Sequence, residues 1–107
     1  MTKGDLYYLR GYKQKNYFGK GKPVVVVSGK AMNEKLDGVV VVPLSIDPAA
    51  GLSPQHIRLD SAKNRPFAIV DRLNTVTKDR LYNYAGRVSP SEVADMDAAI
   101  SALFGLS

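Results

Sequence analysis

Through the first three-quarters of this chain, apolar residues come in short runs rather than at helical spacing. Leu6 to Arg10 is rich in strand formers. Val24 to Val27 and Val39 to Val42 are unbroken β-branched runs, the pattern of strands buried on both faces, and Pro43 is expected to end the second. Gln55 to Leu59 alternates, with His56 and Arg58 on one side and Ile57 and Leu59 on the other, as a half-buried strand does. Phe67 to Leu73 and Tyr82 to Val88 read as two further strands. Lys30 to Leu36 fits a helical turn, and Asp37-Gly38 a chain reversal. Asp47 to Pro54 and Asp60 to Pro66, rich in Pro, Gly, Ser and Asn, read as loops.

The period changes after Val88. Ser89-Pro90-Ser91-Glu92 forms a capping box with proline at the first helical position. Val93, Met96, Ile100, Leu103 and Phe104 then recur at helical spacing and define one apolar face, and Gly105 ends the helix. Short strands closed by one terminal helix predict a mainly β fold, a small, strongly bent antiparallel sheet or barrel with the helix over an open end or a seam. At 107 residues the chain fits one domain, residues 1–107, with no internal repeat or linker.

Composition narrows the chemistry. There is no cysteine, so disulfides, thiolate metal sites and cysteine nucleophiles are excluded. One histidine and no carboxylates at ligand spacing argue against a metal site, and no cofactor is expected. The N-terminus lacks the apolar core of a signal peptide, and no apolar run approaches the ~20 residues of a membrane span. The expected location is the cytoplasm.

The net charge of +5 is unevenly distributed. Residues 1–33 carry seven basic groups against Asp5 alone, whereas residues 89–107 carry Glu92, Asp95 and Asp97 and no lysine or arginine. Tyr12 to Lys22 concentrates the basic end: four lysines, three aromatic rings and two glycines, opening onto the first valine run. Lysines there (Lys13, Lys15, Lys20) can neutralise phosphates, and rings such as Tyr17 and Phe18 can stack on unpaired bases. A solvated basic loop is the plain alternative. Gly19-Lys20-Gly21-Lys22 lacks the Walker spacing and runs into a strand, which argues against ATP. Ser45 or Ser28 with His56 could form a triad, but no nucleophile elbow surrounds either serine.

What these residues can support is metal-free chemistry on RNA, which carries its own nucleophile, the 2′-hydroxyl. A protein then has to align it, relay protons and stabilise charge on phosphorus. Suitable groups stand at strand ends: Lys22 before one strand, Ser45 after another, Asp71 inside a third. Each also has a structural reading: a loop lysine, a turn cap before Asp47-Pro48, and an ion pair with Arg72, Arg80 or Arg87.

An ordered series of short motifs resembles the MazF/PemK (Kid) family of toxin endoribonucleases from toxin–antitoxin systems. It runs through Lys3-Gly4-Asp5-Leu6-Tyr7-Tyr8, Gly21-Lys22-Pro23 with the following valines and Ser28, Met32-Asn33, and Val40 to Ser45. It continues through Gln55 to Leu59, Ile69 to Val76, Lys78 to Leu81, Gly86-Arg87-Val88 and Val93 to Leu106. The resemblance implies an SH3-like barrel with a C-terminal helix, a homodimer, and metal-independent cleavage of single-stranded RNA at short motifs, restrained by a cognate acidic antitoxin. It places the family's catalytic arginine at Lys22, its partner hydroxyl at Ser45 and its acidic residue at Asp71. Lys13, Lys15, Tyr17, Phe18, Lys20, His56 and Arg72 are then the expected RNA-binding residues. The chain departs from the family in carrying lysine at position 22, a point charge without the planar fork of arginine, and arginine at position 72. Two alternatives remain: a member that binds nucleic acid or antitoxin without cleaving, and a CcdB-like gyrase poison acting through Phe104 and Leu106.

Overall fold

The computed structural model describes residues 1–10, 23–52, 56–62 and 65–106. Its strands are β1 (Asp5–Leu9), β2 (Pro23–Val26), β3 (Gly38–Ser45), β4 (His56–Arg58), β5 (Phe67–Ile69), β6 (Asn74–Thr77) and β7 (Leu81–Arg87). Two helices, α1 (Lys30–Lys35) and α2 (Pro90–Leu103), complete the fold. All pairings are antiparallel, in the order β4-β5-β3-β2-β1-β7, with β6 also on β3. This is the mainly β architecture with a terminal helix that the pattern predicts.

The valine runs explain how one sheet serves two cores. Val25, Val27, Val42 and Leu44 point to one side and pack with Leu6, Ala68, Val88 and Met96 of α2. Val24, Val26, Val39 and Val41 point to the other and pack with Leu9, Val76 and Leu81. Alternation along a strand sends successive side chains to opposite faces, so a strand buried on both needs an apolar residue at every position. Val76 of β6 and Leu81 of β7 meet in the second core although three strands separate β6 from β7 in the sheet. The sheet therefore curls as a barrel does. Among the described residues no ladder joins β7 to β4 or β6, so the barrel is open rather than closed.

Three local expectations are corrected. Pro43 does not end its strand: β3 runs on to Ser45. Proline is tolerated there because β3 changes partner around it, pairing with β6 through Val41 and with β5 from Leu44. Phe67 to Leu73 is not one strand, because the 3-10 turn Val70–Arg72 breaks it and the chain resumes as β6, which the apolar pattern missed. Finally, Leu103 and Phe104 do not join the buried helix face; Phe104 is 61% exposed and Leu106 77%. Met96 is fully buried and Val93, Ala99 and Ile100 pack against the first core, so the apolar face holds for the first two and a half turns or so.

The ends of α2 behave as read. The Ser89 side chain accepts from the Glu92 amide while the Glu92 carboxylate accepts from the Ser89 amide. Gly105, at φ +70, closes the helix with its amide donating to the Ala102 carbonyl and that of Leu106 donating to Ser101.

Candidate active site

The expected site residues divide into two sets. Lys13, Lys15, Tyr17, Phe18, Lys20 and Lys22 lie outside the described residues. Ser45, His56, Asp71 and Arg72 lie within them, on β3, on β4 and on the turn after β5, the strand that stands between β3 and β4.

Register brings these elements together. Ser45 pairs with Phe67, and Phe67 pairs in turn with Arg58. Two residues along β5, Ile69 pairs with His56. Directly opposed residues of antiparallel strands share a face, so Ser45, Phe67, Arg58, Ile69 and His56 line one side. Leu44, Ala68 and Ile57 line the other, against the α2 core. Ser45 and His56 are thus separated by two strand spacings and two residues, roughly 12 Å between backbones.

The 3-10 turn Val70–Arg72 carries Asp71 back beside β4. Asp71 Oδ1 lies 3.0 Å from His56 Nε2, with the imidazole 15% and the carboxylate 44% exposed. Asp71 was expected inside a strand; the turn is what aims it at His56. An aspartate at this distance fixes the orientation of the ring. Arg72 is exposed beside it.

Ser45 is 8% exposed, and its hydroxyl oxygen accepts from the Asp47 amide at 3.1 Å. Asp47 in turn accepts from the Ala49 amide, so the chain folds back over the end of β3. The turn-cap role is therefore real, and it leaves the hydroxyl proton to donate elsewhere. The covering segment, Pro48–Leu52, sits on Phe67 through Gly51: a Cβ there would come 2.8 Å from the ring. The Arg58 guanidinium lies over the same ring, 5.5 Å from its centre, while its Nε donates to Asp60.

The His56–Asp71 pair was not legible in sequence, since fifteen residues and two turns separate the partners. Among the described residues no cluster of three or more His, Asp or Glu could hold a metal ion. No helix among them is long and apolar enough to cross a membrane.

The fold and the family comparison agree. A model described as PemK-like, MazF-like toxin of type II toxin–antitoxin systems matches residues 2–104, and the chain belongs to that family. Among solved structures, an endoribonuclease from a mycobacterial species aligns with TM-score 0.80 at 23% identity, covering 99% of this chain and 92% of that one. A MazE–MazF complex from Deinococcus radiodurans aligns with TM-score 0.81 at 18% identity, covering 100% and 98%. A mycobacterial endoribonuclease in complex with its cognate antitoxin aligns with TM-score 0.76 at 24% identity, covering 100% and 95%. At these identities the likeness is one of fold. A search of curated protein sequences gives no match.

Proposed function

We propose that this chain is a metal-independent endoribonuclease toxin that cleaves single-stranded RNA at short sequence motifs and is held in check by a cognate acidic antitoxin. The supporting observation is the β2–β3 register. Val24 pairs with Pro43, two residues before Ser45, so the start of β2, which follows Lys22 in the sequence, adjoins the end of β3 that carries Ser45. Ser45 belongs to the side of the sheet that carries His56.

The chemistry follows from those groups. The substrate's 2′-hydroxyl attacks the adjacent phosphorus, and the bond to the 5′-oxygen of the next nucleotide breaks. The products are a cyclic phosphate and a free 5′-hydroxyl. The Lys22 ammonium and the Ser45 hydroxyl stabilise charge growing on the non-bridging oxygens. His56, oriented by Asp71, moves a proton between the nucleophile and the leaving oxygen. Arg72, with Lys13, Lys15 and Lys20, holds the phosphates, and Tyr17 and Phe18 stack on unpaired bases. The related structures named for an antitoxin complex support such a partner here, and the exposed apolar end of α2 supports a homodimer.

The test is incubation of the purified protein with a long RNA in EDTA, followed by mapping of the new ends. Cyclic-phosphate termini at recurring motifs are expected, with loss of about 100-fold in rate on Lys22→Ala or Ser45→Ala. Undiminished cleavage by both variants discards the site; tight binding of RNA that stays intact favours the binding-only alternative. The exposed Phe104 and Leu106 keep a second reading open, a gyrase poison, which a supercoiling assay separates.

A further inference from the structure

The edge strand β7 departs from regular pairing with β1. Leu6 opposes Gly86 and Tyr8 opposes Tyr82, so two steps on β1 match four on β7. The extra residues form a bulge in which Asn83 takes φ 50 and Gly86 φ 117. A positive φ at a residue other than glycine is uncommon, and bulges re-aim side chains. Here the result is visible. Tyr82 and Tyr84, two apart, would share a face in a regular strand. Instead Tyr84 meets Tyr7 edge-on at 5.6 Å, and Tyr82 meets Tyr8 at 6.3 Å, tilted 44°. Tyr7 and Tyr8 alternate on β1, so the bulge sends one tyrosine to each side of the sheet.

Tyr7 packs against the second core. The Tyr8–Tyr82 pair lies on the opposite side, where α2 meets β1 at Gly4 through Val93. Tyr8 is four residues further on, roughly 13 Å along the strand, and both rings are half-buried. Arg10 places its guanidinium 5.0 Å from the centre of the Tyr82 ring, and its amide donates to the Arg80 carbonyl. Arg10 and Arg80 are both exposed; Asp79, beside Arg80, is the nearby acid in sequence. Across the sheet Tyr8 pairs with Pro23, so Pro23, Tyr8 and Tyr82 form a row ending one residue from Lys22 in the chain.

We propose that the row Pro23–Tyr8–Tyr82 with Arg10 is a base-stacking subsite for single-stranded RNA, taking a nucleotide remote from the scissile linkage, because the row lies on the α2 side of the sheet and Ser45 and His56 on the other. This rests on the ribonuclease reading above. Stacking on tyrosine suits any unpaired base, and an arginine beside the ring supplies the cation for the neighbouring phosphate. On binding, the base takes the position over the ring that the guanidinium holds, and Arg10 turns to the phosphate.

The experiment measures binding of a short mixed-sequence 2′-O-methyl RNA, whose blocked nucleophile separates binding from cleavage. Inorganic polyphosphate and polyglutamate serve as probes of charge without bases and of an acidic protein segment. Tyr82→Leu is expected to weaken RNA binding roughly tenfold and to leave polyphosphate and polyglutamate binding unchanged. Arg10→Gln is expected to reduce the salt slope of RNA binding by about 0.7. Unchanged RNA affinity in Tyr82→Leu overturns the subsite, as does an equal loss on all three probes. Should Tyr82→Leu not fold, Tyr82→Trp decides: affinity at or above that of the parent supports stacking, and a loss refutes it. If the parent protein leaves unmodified RNA intact while Tyr82→Leu still loses the blocked RNA, the nuclease reading falls and the subsite stands.

Discussion

Gly4 is where the N-terminal strand passes beneath the terminal helix. Its φ of +95 is open to glycine, and a Cβ there would stand 2.9 Å from Val93 Cγ2. Its amide donates to Val26 and its carbonyl accepts from Val88, so the backbone cannot retreat. Gly4→Ala should lower stability by about 2 kcal/mol, read by denaturant unfolding, whereas alanine at Gly29, with open space around it, should change little. At the candidate site the informative residue is Asp71. Asp71→Asn keeps the shape but replaces the carboxylate that contacts His56 with a neutral amide. Single-turnover cleavage should fall about 100-fold with RNA affinity nearly unchanged. An unaltered rate would assign the pair a structural role only. Residue types alone indicated Ser45 and Asp71 as candidates, because a hydroxyl and a carboxylate at strand ends suit phosphodiester chemistry. They could not indicate that Asp71 serves His56, since that contact depends on the 3-10 turn and on the β4–β5 register.

Among the elements, the first turn of α2 is held by one carboxylate. Glu92 Oε1 accepts from the Ser61 hydroxyl at 2.5 Å and the Ser89 amide at 2.8 Å, and Oε2 accepts from the Ser61 amide at 3.2 Å. The capping box therefore also ties the loop after β4 to the helix. Burial by itself would raise the Glu92 carboxyl, but the hydrogen bonds from Ser61 and Ser89 outweigh it and hold the group at about 2, below its ordinary 4.5. A carboxyl depressed on folding stabilises the protein at neutral pH, and that contribution is lost as pH falls from about 4.5 towards 2. Glu92→Ala should cost about 2 kcal/mol at pH 7 and much less at pH 2, so the parent and variant unfolding curves should converge in acid. Curves that stay parallel would show that the carboxylate is not what anchors the helix. The start of this element was legible because capping chemistry is local. Its far end was not, because whether Phe104 is covered depends on how far the sheet extends beneath it. The valine runs were equally legible, since burial on both faces allows little else. β6 was missed because Asn74, Thr75 and Thr77 flank a single buried valine, and only pairing with β3 makes that segment a strand.

For the molecule as a whole, the two ends of the chain differ in a way that bears on assembly. The N-terminal third is basic, and the terminal helix has no cation and ends in exposed Leu103, Phe104 and Leu106. A basic region of this kind suits a polyanion, while the second is an apolar surface that a second copy can cover. In a twofold pair the same patch serves both subunits, so one substitution acts twice. Phe104→Glu places two carboxylates at that contact and should shift the protein from dimer to monomer in sedimentation velocity, with the fold unchanged by circular dichroism. Leu36→Glu, at another exposed apolar position, should leave the dimer intact. A parent protein that sediments as a monomer at every concentration would remove the dimer from the proposal. A dimer indifferent to Phe104→Glu would move its interface elsewhere. If the monomeric variant also fails to cleave RNA while still binding it, the working site requires both subunits, because Phe104 caps α2, whereas Ser45, His56 and Asp71 are carried by β3, β4 and the 3-10 turn after β5.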